Sequence, residues 1–283
     1  MSGQLVLVAT PIGNLGDLAP RAAEALRGAD LILCEDTRRT RHLLSAIDVP
    51  GAGRLMAFHE HNEYDKTPGV LERLARGDRV VLVCDAGTPG ISDPGGRLVA
   101  EAVAVGIEVT TVPGPSALLA ALVISGLATD RFVMEGFLPR KGADRRARVG
   151  ALVDELRTVV LFESPRRVGA TVAELAEHLG GTRRVVVARE LTKLHEEVWR
   201  GSLAEAVERY EGAEVRGEVV IVLEGAAEVE AIPPSDTEVL AALADARRAG
   251  LSTRDAASTV AASLGISRRG VYDLAIGSGT SKG

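Results

Sequence analysis

The sequence predicts an α/β fold with a small helical C-terminal extension. Three observations carry this. Short apolar runs at 5–9, 29–34 and 79–84 show little polar alternation, as strands buried on both faces do. Each runs into a polar or Gly/Pro-rich turn, and helical stretches separate them, which is the order of parallel strands joined by right-handed crossovers. Beyond Pro233-Pro234 the strand signal stops and only helix-forming stretches remain.

The elements follow in order. Residues 5–9 lead into Thr10-Pro11-Ile12-Gly13-Asn14, a turn-rich loop. Asp17 is placed to cap a helix over 20–27, which opens on Pro20, where a missing N–H costs little. The strand at 29–34 ends at Glu35-Asp36-Thr37-Arg38. The strand at 79–84 ends at Asp85-Ala86-Gly87-Thr88-Pro89, ahead of a helix over 94–105. A strand at 108–112 ends at Pro113-Gly114-Pro115-Ser116, which closes an N-terminal parallel-sheet domain of 1–115.

The character then changes. A small-residue helix over 116–125 precedes a strand at 132–136, and Arg140, Lys141, Arg145, Arg146 and Arg148 crowd a loop entering a helix. Strands at 158–163, 184–189 and 218–224, with an edge or turn at 198–202, alternate with helices over 168–179 and 203–210. This predicts a second α/β domain, 116–226, with hairpin-like strands and a mixed sheet. A linker over 227–235 leads to a helical extension, 236–283. There Ser252 is an N-cap, Gly265 a turn and Ser267 a second cap, which is helix-turn-helix spacing; a plain helical hairpin shares the pattern.

The chain has 283 residues, 46% hydrophobic and 25% charged, a foldable composition with a formal net charge of -6. That balance argues against a uniformly basic nucleic-acid wrapper and leaves room for a local patch. Aromatics at 3% argue against a base-stacking surface of several rings. Only four of the 33 basic residues are lysines (Lys66, Lys141, Lys193, Lys282), so most positive charge sits on guanidinium forks suited to phosphate. Cys34 and Cys84 lie in apolar runs and predict buried thiols, not a disulfide framework. No basic stretch precedes the first apolar run, and no apolar run spans a bilayer, which predicts a cytoplasmic protein without a membrane partner.

Familiar motifs fail on inspection. Gly13 and Gly16 follow a strand, with Glu35 and Asp36 about twenty residues on, yet the third glycine of a dinucleotide fingerprint is missing. No Gly-rich loop ends in Gly-Lys-Ser/Thr, and no nucleophile elbow is present. His59 and His61 lie two apart without a third histidine, so no metal site is expected; Phe58 to Glu63 is either a polar active-site loop or a solvated one. The strongest signal is Asp85 through Gly95, with three Gly, two Pro, two Asp and two hydroxyl residues after a buried strand. Gly admits a ligand to the backbone and Pro stiffens the loop, at the sheet edge where parallel α/β folds bind ligands. Arginine pairs recur after strands, either gathered at the mouth of the sheet or scattered in solvent.

Several motifs then occur in one order: Thr10-Pro11-Ile12-Gly13-Asn14-Leu15, Glu35-Asp36-Thr37-Arg38, Phe58-His59-Glu60-His61-Asn62, Asp85 through Gly95, Val112 through Ser116, Glu163-Ser164-Pro165-Arg166-Arg167 and Ala188-Arg189-Glu190-Leu191-Thr192-Lys193. Over about residues 5–225 the chain closely resembles the bacterial small-subunit rRNA (cytidine-2'-O)-methyltransferases, a family of the tetrapyrrole methylase superfamily. The resemblance implies a two-domain tetrapyrrole-methylase-like fold, S-adenosylmethionine in the cleft between the domains, and a homodimer. It implies 2'-O-methylation of cytidine 1402 in 16S rRNA, with the assembled small subunit as the expected partner. The first loop departs from the Gly-Pro-Gly type of tetrapyrrole-modifying relatives, which favours the RNA branch over a precorrin-type C-methyltransferase; a non-enzymatic nucleic-acid-binding protein is the other alternative.

Carried over by motif, Pro11, Asp85, Ala86, Gly87, Thr88, Ser92, Asp93, Ser116, Ala117, Glu163 and Ser164 are expected around the cofactor. Glu190 or His59 is expected as general base, being titratable groups in motif loops. Arg38, Arg166, Arg167, Arg189, Lys193, Arg268 and Arg269 are expected at RNA phosphates.

Overall fold

The computed structural model describes residues 3–227 and 234–277, which fall in two compact units divided after Ala227. Most of the expected linker (228–233) and the last residues of the expected extension (278–283) lie outside the described residues.

In the first unit, β1 (Gln4–Val8), β2 (Leu31–Cys34), β3 (Leu55–Ala57), β4 (Arg79–Leu82) and β5 (Glu108–Val112) form a parallel sheet of order β3-β2-β4-β1-β5. Pleat alternation explains why the inner strands β1, β2 and β4 are largely apolar, whereas the edge strand β5 carries Glu108, Thr110 and Thr111. Val6, Val8, Ile32, Cys34, Val81 and Val83 bury on the face that packs α1 (Pro20–Arg27). Leu5, Leu31, Leu33, Val80 and Leu82 bury on the other, with residues of α3 (Glu63–Ala75) and α4 (Gly96–Ala104). Between them in the chain lies α2 (Thr37–Ala46), capped by the Asp36 carboxylate on the Arg38 N–H.

Two local expectations change. Asp17 does not cap α1; it lies in a 3-10 turn over Leu15–Asp17 that Asn14 caps, and α1 begins after Ala19 without a side-chain cap. The stretch seen as loop around His59 leads from β3 into α3. A three-residue strand carries too little periodicity to detect, and Pro68 inside α3 removes one helical hydrogen bond and disguises the helix.

After α5 (Ala117–Ser125) the chain builds a mixed sheet from β6 (Phe132–Phe137), β7 (Thr158–Glu163), β8 (Arg184–Arg189), β9 (Glu197–Ser202) and β10 (Val219–Leu223). Its order is β6-β7-β10-β8-β9, with only β6 and β7 parallel. One face packs side chains from α6 (Ala143–Ala151), α7 (Val168–Leu179) and α8 (Leu203–Tyr210). The other buries Leu118, Ala121 and Leu122 of α5 together with Ile12, so the first loop reaches into the second sheet's core. The second unit comprises α9 (Asp236–Arg248), α10 (Thr253–Leu264) and α11 (Arg268–Gly277) around Val239, Leu243, Val260 and Val271. Ser252 caps α10, and Gly265 ends it in the left-handed region, features that a helix-turn-helix and a plain helical hairpin share.

One carboxylate orients the loop between β4 and α4. Glu63, the first residue of α3, accepts from the N–H groups of Gly95 (3.1 Å), Arg97 (3.1 Å) and Leu98 (3.2 Å), and so caps α4 from a neighbouring helix. Gly95 has φ 121°, and a Cβ there would collide with Leu82, so the turn into α4 needs glycine for both reasons. Glu63→Ala is expected to lower the unfolding free energy by about 1–2 kcal/mol in urea denaturation, with Glu63→Gln losing less because its oxygen still accepts.

Candidate functional site

Parallel strands put all their carboxyl ends at one edge, and there the loops after β1, β4 and β5 meet. Thr10 N–H donates to the Gly87 carbonyl at 2.8 Å, and Gly87 N–H donates back at 3.0 Å. The Thr10 hydroxyl donates to Cys84 O and the Thr88 hydroxyl to Pro115 O, each at 3.2 Å. Gly87 holds φ 89°, which few other residues tolerate. The loop after β2 joins through Asp85. Its carboxylate accepts the Asp36 N–H at 3.2 Å and faces Arg39 at 3.4 Å, while its own N–H donates to Glu35 at 3.3 Å. The neighbours β1 and β4 send their connections to opposite edges of the sheet, the topology that opens a ligand crevice at strand ends.

A cleft of about 450 Å³ lies there, a size suited to a small ligand. Ile12, Glu35, Arg39, the loop residues 85–88 and 91–93, Ser116 and Ala117 line one side. Phe137, Phe162 through Pro165, Ala188, Leu191 and residues 217–220 line the other. Every residue expected around the cofactor is in that lining except Pro11, whose neighbour Ile12 is. Sequence reasoning missed Glu35 and Arg39 as lining residues, although the Glu35-Asp36-Thr37-Arg38 motif pointed to their loop. It also missed Phe137, Phe162 and Glu218. Low aromatic content did not reveal that two of the four phenylalanines meet in the cleft, with ring centroids 5.6 Å apart and Phe137 56% exposed.

The two residues expected as base are placed differently. The Glu190 carboxylate sits behind Gly217, accepting Lys193 Nζ at 2.7 Å and the Glu218 N–H at 3.0 Å. The Lys193 ammonium holds its carboxyl below the usual range, which makes Glu190 a weak proton acceptor. His59 is outside the cleft lining, in the β3–α3 turn, with Nε2 3.1 Å from the Asn62 side-chain nitrogen and Nδ1 buried without a hydrogen-bond partner among the described residues.

Most of the basic residues expected at RNA are already paired. Arg38 binds Asp36 at 3.0 Å, and Lys193 bridges Glu190 and Glu218. Arg189 binds Glu197 at 3.0 Å. Arg167 binds the buried Glu163 carboxylate at 2.7 Å and the Leu138 carbonyl at 2.9 Å, so that its role is to neutralise a buried charge. Glu163 also accepts from the Thr171 hydroxyl at 2.7 Å. Arg166, Arg268 and Arg269 are exposed and make no ion pair among the described residues.

The family model for Tetrapyrrole (Corrin/Porphyrin) Methylases matches residues 4–207, which span both sheets except β10. The chain belongs to the tetrapyrrole methylase family. It is a methyltransferase, and within the family it groups with proteins named ribosomal RNA small subunit methyltransferase I. The protein of that name from Mycobacterium tuberculosis (strain CDC 1551 / Oshkosh) is 46% identical, over 97% of this chain and 95% of its own. That from Synechocystis sp. is 43% identical, over 97% and 98%. That from Thermotoga maritima is 46% identical, but 99% of it matches only 79% of this chain. Among solved structures, diphthine synthase aligns with a TM-score of 0.59 at 18% identity, over 79% of this chain and 90% of its own. Uroporphyrin-III C-methyltransferase from Thermus thermophilus, complexed with S-adenosyl homocysteine, aligns at 0.55 and 22% identity, over 80% and 99%. These two show the methylase fold.

Asp93 of this methylase has a shifted acidity. Burial, then the nearby Glu35 and Asp85 charges, push its carboxyl from 3.8 up to about 6. Between those values the folded chain keeps a proton that the unfolded chain has released. The associated stability is therefore full below the lower value and lost as pH rises through the upper one. Asp93→Asn is expected to match the wild-type Tm in acid and to exceed it at neutral pH, measured by thermal unfolding across that window.

Proposed function

We propose that this chain transfers a methyl group from S-adenosylmethionine to the ribose 2'-oxygen of cytidine 1402 in 16S rRNA, acting on the assembled small ribosomal subunit as a cytoplasmic homodimer. The charge of the cleft carries the cofactor reading. Glu35, Asp85, Asp93, Glu163 and Glu218 line it; Arg39, Arg167 and Lys193 pair with Asp85, Glu163 and Glu218, and Glu35 and Asp93 keep no cationic partner among the described residues. That set suits a ligand bearing a sulfonium and an ammonium, and disfavours a phosphate-bearing cofactor. The apolar walls at Ile12, Ala117, Leu191 and Val220 and the glycine backbone at Gly87 suit an adenosine. When bound, S-adenosylmethionine supplies an electrophilic methyl carbon. The chain's part is to align the acceptor oxygen with it and to exclude water.

In this reading Asp85, Ala86, Gly87, Thr88 and Ser92 hold the cofactor from the first domain, 1–115, with Asp93 beside them in the cleft lining. Ser116, Ala117, Glu163 and Ser164 hold it from the second, 116–226, and Pro11 stiffens the first loop. The packing of α5 on β7 and β10 supports a boundary before residue 116. The rRNA substrate is supported by the names of the relatives at 43% to 46% identity. Exposed Arg166, after β7, and Arg268 and Arg269, opening α11, are the phosphate contacts, since the other expected cations would first have to leave their carboxylates.

Labelled S-adenosylmethionine offered with small ribosomal subunits, naked 16S rRNA and a porphyrinogen precursor tests this. The expected result is label in the ribose of the subunit's rRNA alone; label in the tetrapyrrole overturns the reading. Removal of the residues after Pro234 is expected to weaken RNA binding while leaving S-adenosylhomocysteine affinity intact. The Thermotoga relative, which leaves a share of this chain the size of the second unit unmatched, supports independent folding of what remains. Unchanged RNA affinity would remove the extension from the RNA contact.

A further inference from the structure

Four of the five carboxylates lining the cleft have committed partners. Asp85 faces Arg39, Glu218 binds Lys193 at 2.9 Å, and Glu163 binds Arg167 and Thr171. Glu35 accepts the Asp85 N–H. Asp93 is different, since no Lys, Arg or His pairs with it among the described residues. Its surroundings are the Cys84 thiol at the end of β4, the Glu35 carboxylate at the end of β2 and the Asp85 carboxylate in its own loop. Arg39 reaches only Asp85, and Glu63 is occupied by the amides of α4. The backbone fixes it on both sides: Ser92 before it holds φ 59°, and Gly95 after it is anchored by Glu63. Gly136 of β6 comes so close to Ser92 that a Cβ there would lie 3.3 Å from the Ser92 hydroxyl, so the segment is held from the second sheet as well.

We propose that Asp93 is the general base that takes the proton from the ribose 2'-hydroxyl during methyl transfer. This rests on the ribose reading above. The balance is simple. A bond forms between the 2'-oxygen and the methyl carbon, and the carbon–sulfur bond breaks with its electron pair going to sulfur. The hydroxyl proton passes to the Asp93 carboxylate and then to water. The raised pKa suits the task, because the group is ionised at neutral pH yet more basic than an ordinary carboxylate. Glu190, clamped by Lys193, and His59, outside the lining, do not combine these properties.

The test is single-turnover methylation of small ribosomal subunits from about pH 5 to about pH 8 by wild type, Asp93→Asn and Asp93→Glu. S-adenosylhomocysteine binding by calorimetry and thermal unfolding accompany it. The neutral sulfur of that probe separates cofactor binding from any attraction between a carboxylate and a sulfonium. Asp93→Asn is expected to be folded, to bind the probe within a few-fold of wild type, to react about 10²-fold or more slowly, and to lose the acid limb of the pH profile. Asp93→Glu is expected to restore part of the rate and the limb. A rate for Asp93→Asn close to wild type overturns the proposal. So does a loss of probe affinity matching the loss of rate, or a wild-type profile flat across the titration of Asp93. A wild-type protein that binds the probe and leaves no label in ribose overturns the rRNA reading instead.

Discussion

The parallel direction of the first sheet is the constraint on which the rest depends. It brings the loops after β1, β2, β4 and β5 to one edge, where short hydrogen bonds join them. The Thr10–Gly87 pair is central, because it fixes the first loop against the long one. Once Thr10 is held, Ile12 is carried into the core of the second sheet. The cleft therefore forms beside two loops locked by backbone hydrogen bonds.

Electrostatics inside the first unit follow a different logic from the composition. A chain rich in arginine with few lysines suggests a phosphate-binding surface. The structure uses many of those forks internally. Arg183 is buried and donates to the carbonyls of Leu152, Val153, Glu155 and Glu224, which joins three segments of the second sheet's surroundings. Arg145 is likewise buried, on Glu174, Thr171 and Pro139 O. A planar group with five donors in a fixed fork can satisfy several backbone carbonyls of neighbouring segments at once, which suits it to this place better than lysine. In the cleft Glu35 and Asp93 keep no cationic partner among the described residues, while Arg166 is exposed and unpaired, as are Arg268 and Arg269 of α11 in the second unit.

Much of the fold was legible in the sequence because its signals are local. Apolar runs without alternation located β1, β2 and β4, and the loops after β1, β2, β4 and β5, with the first turns of the helices that follow, line one side of the cleft. Gly, Pro and Asp in the stretch Asp85 through Gly95 reported a ligand loop because backbone geometry restricts which residues can stand there. The misses have equally physical origins. β3 is too short to show a period, Pro68 disguises α3, and Glu218 precedes β10, which reaches the cleft only by inserting between β7 and β8.

The sequence by itself determined the two kinds of sheet, the helical extension, the family resemblance and the loop that contains the cleft's key carboxylate. Tertiary structure alone decided which charged groups are free. Lys193 neutralises Glu190 and Arg167 neutralises Glu163 within a few residues, but Asp85 meets Arg39 and Asp93 meets Glu35 only across separate strands. A side chain's chemistry depends on the charges within a few ångströms of it, and those neighbours are chosen by the fold. That is why Glu190 and His59 stood out as candidate bases in the linear sequence, while the folded chain singles out Asp93.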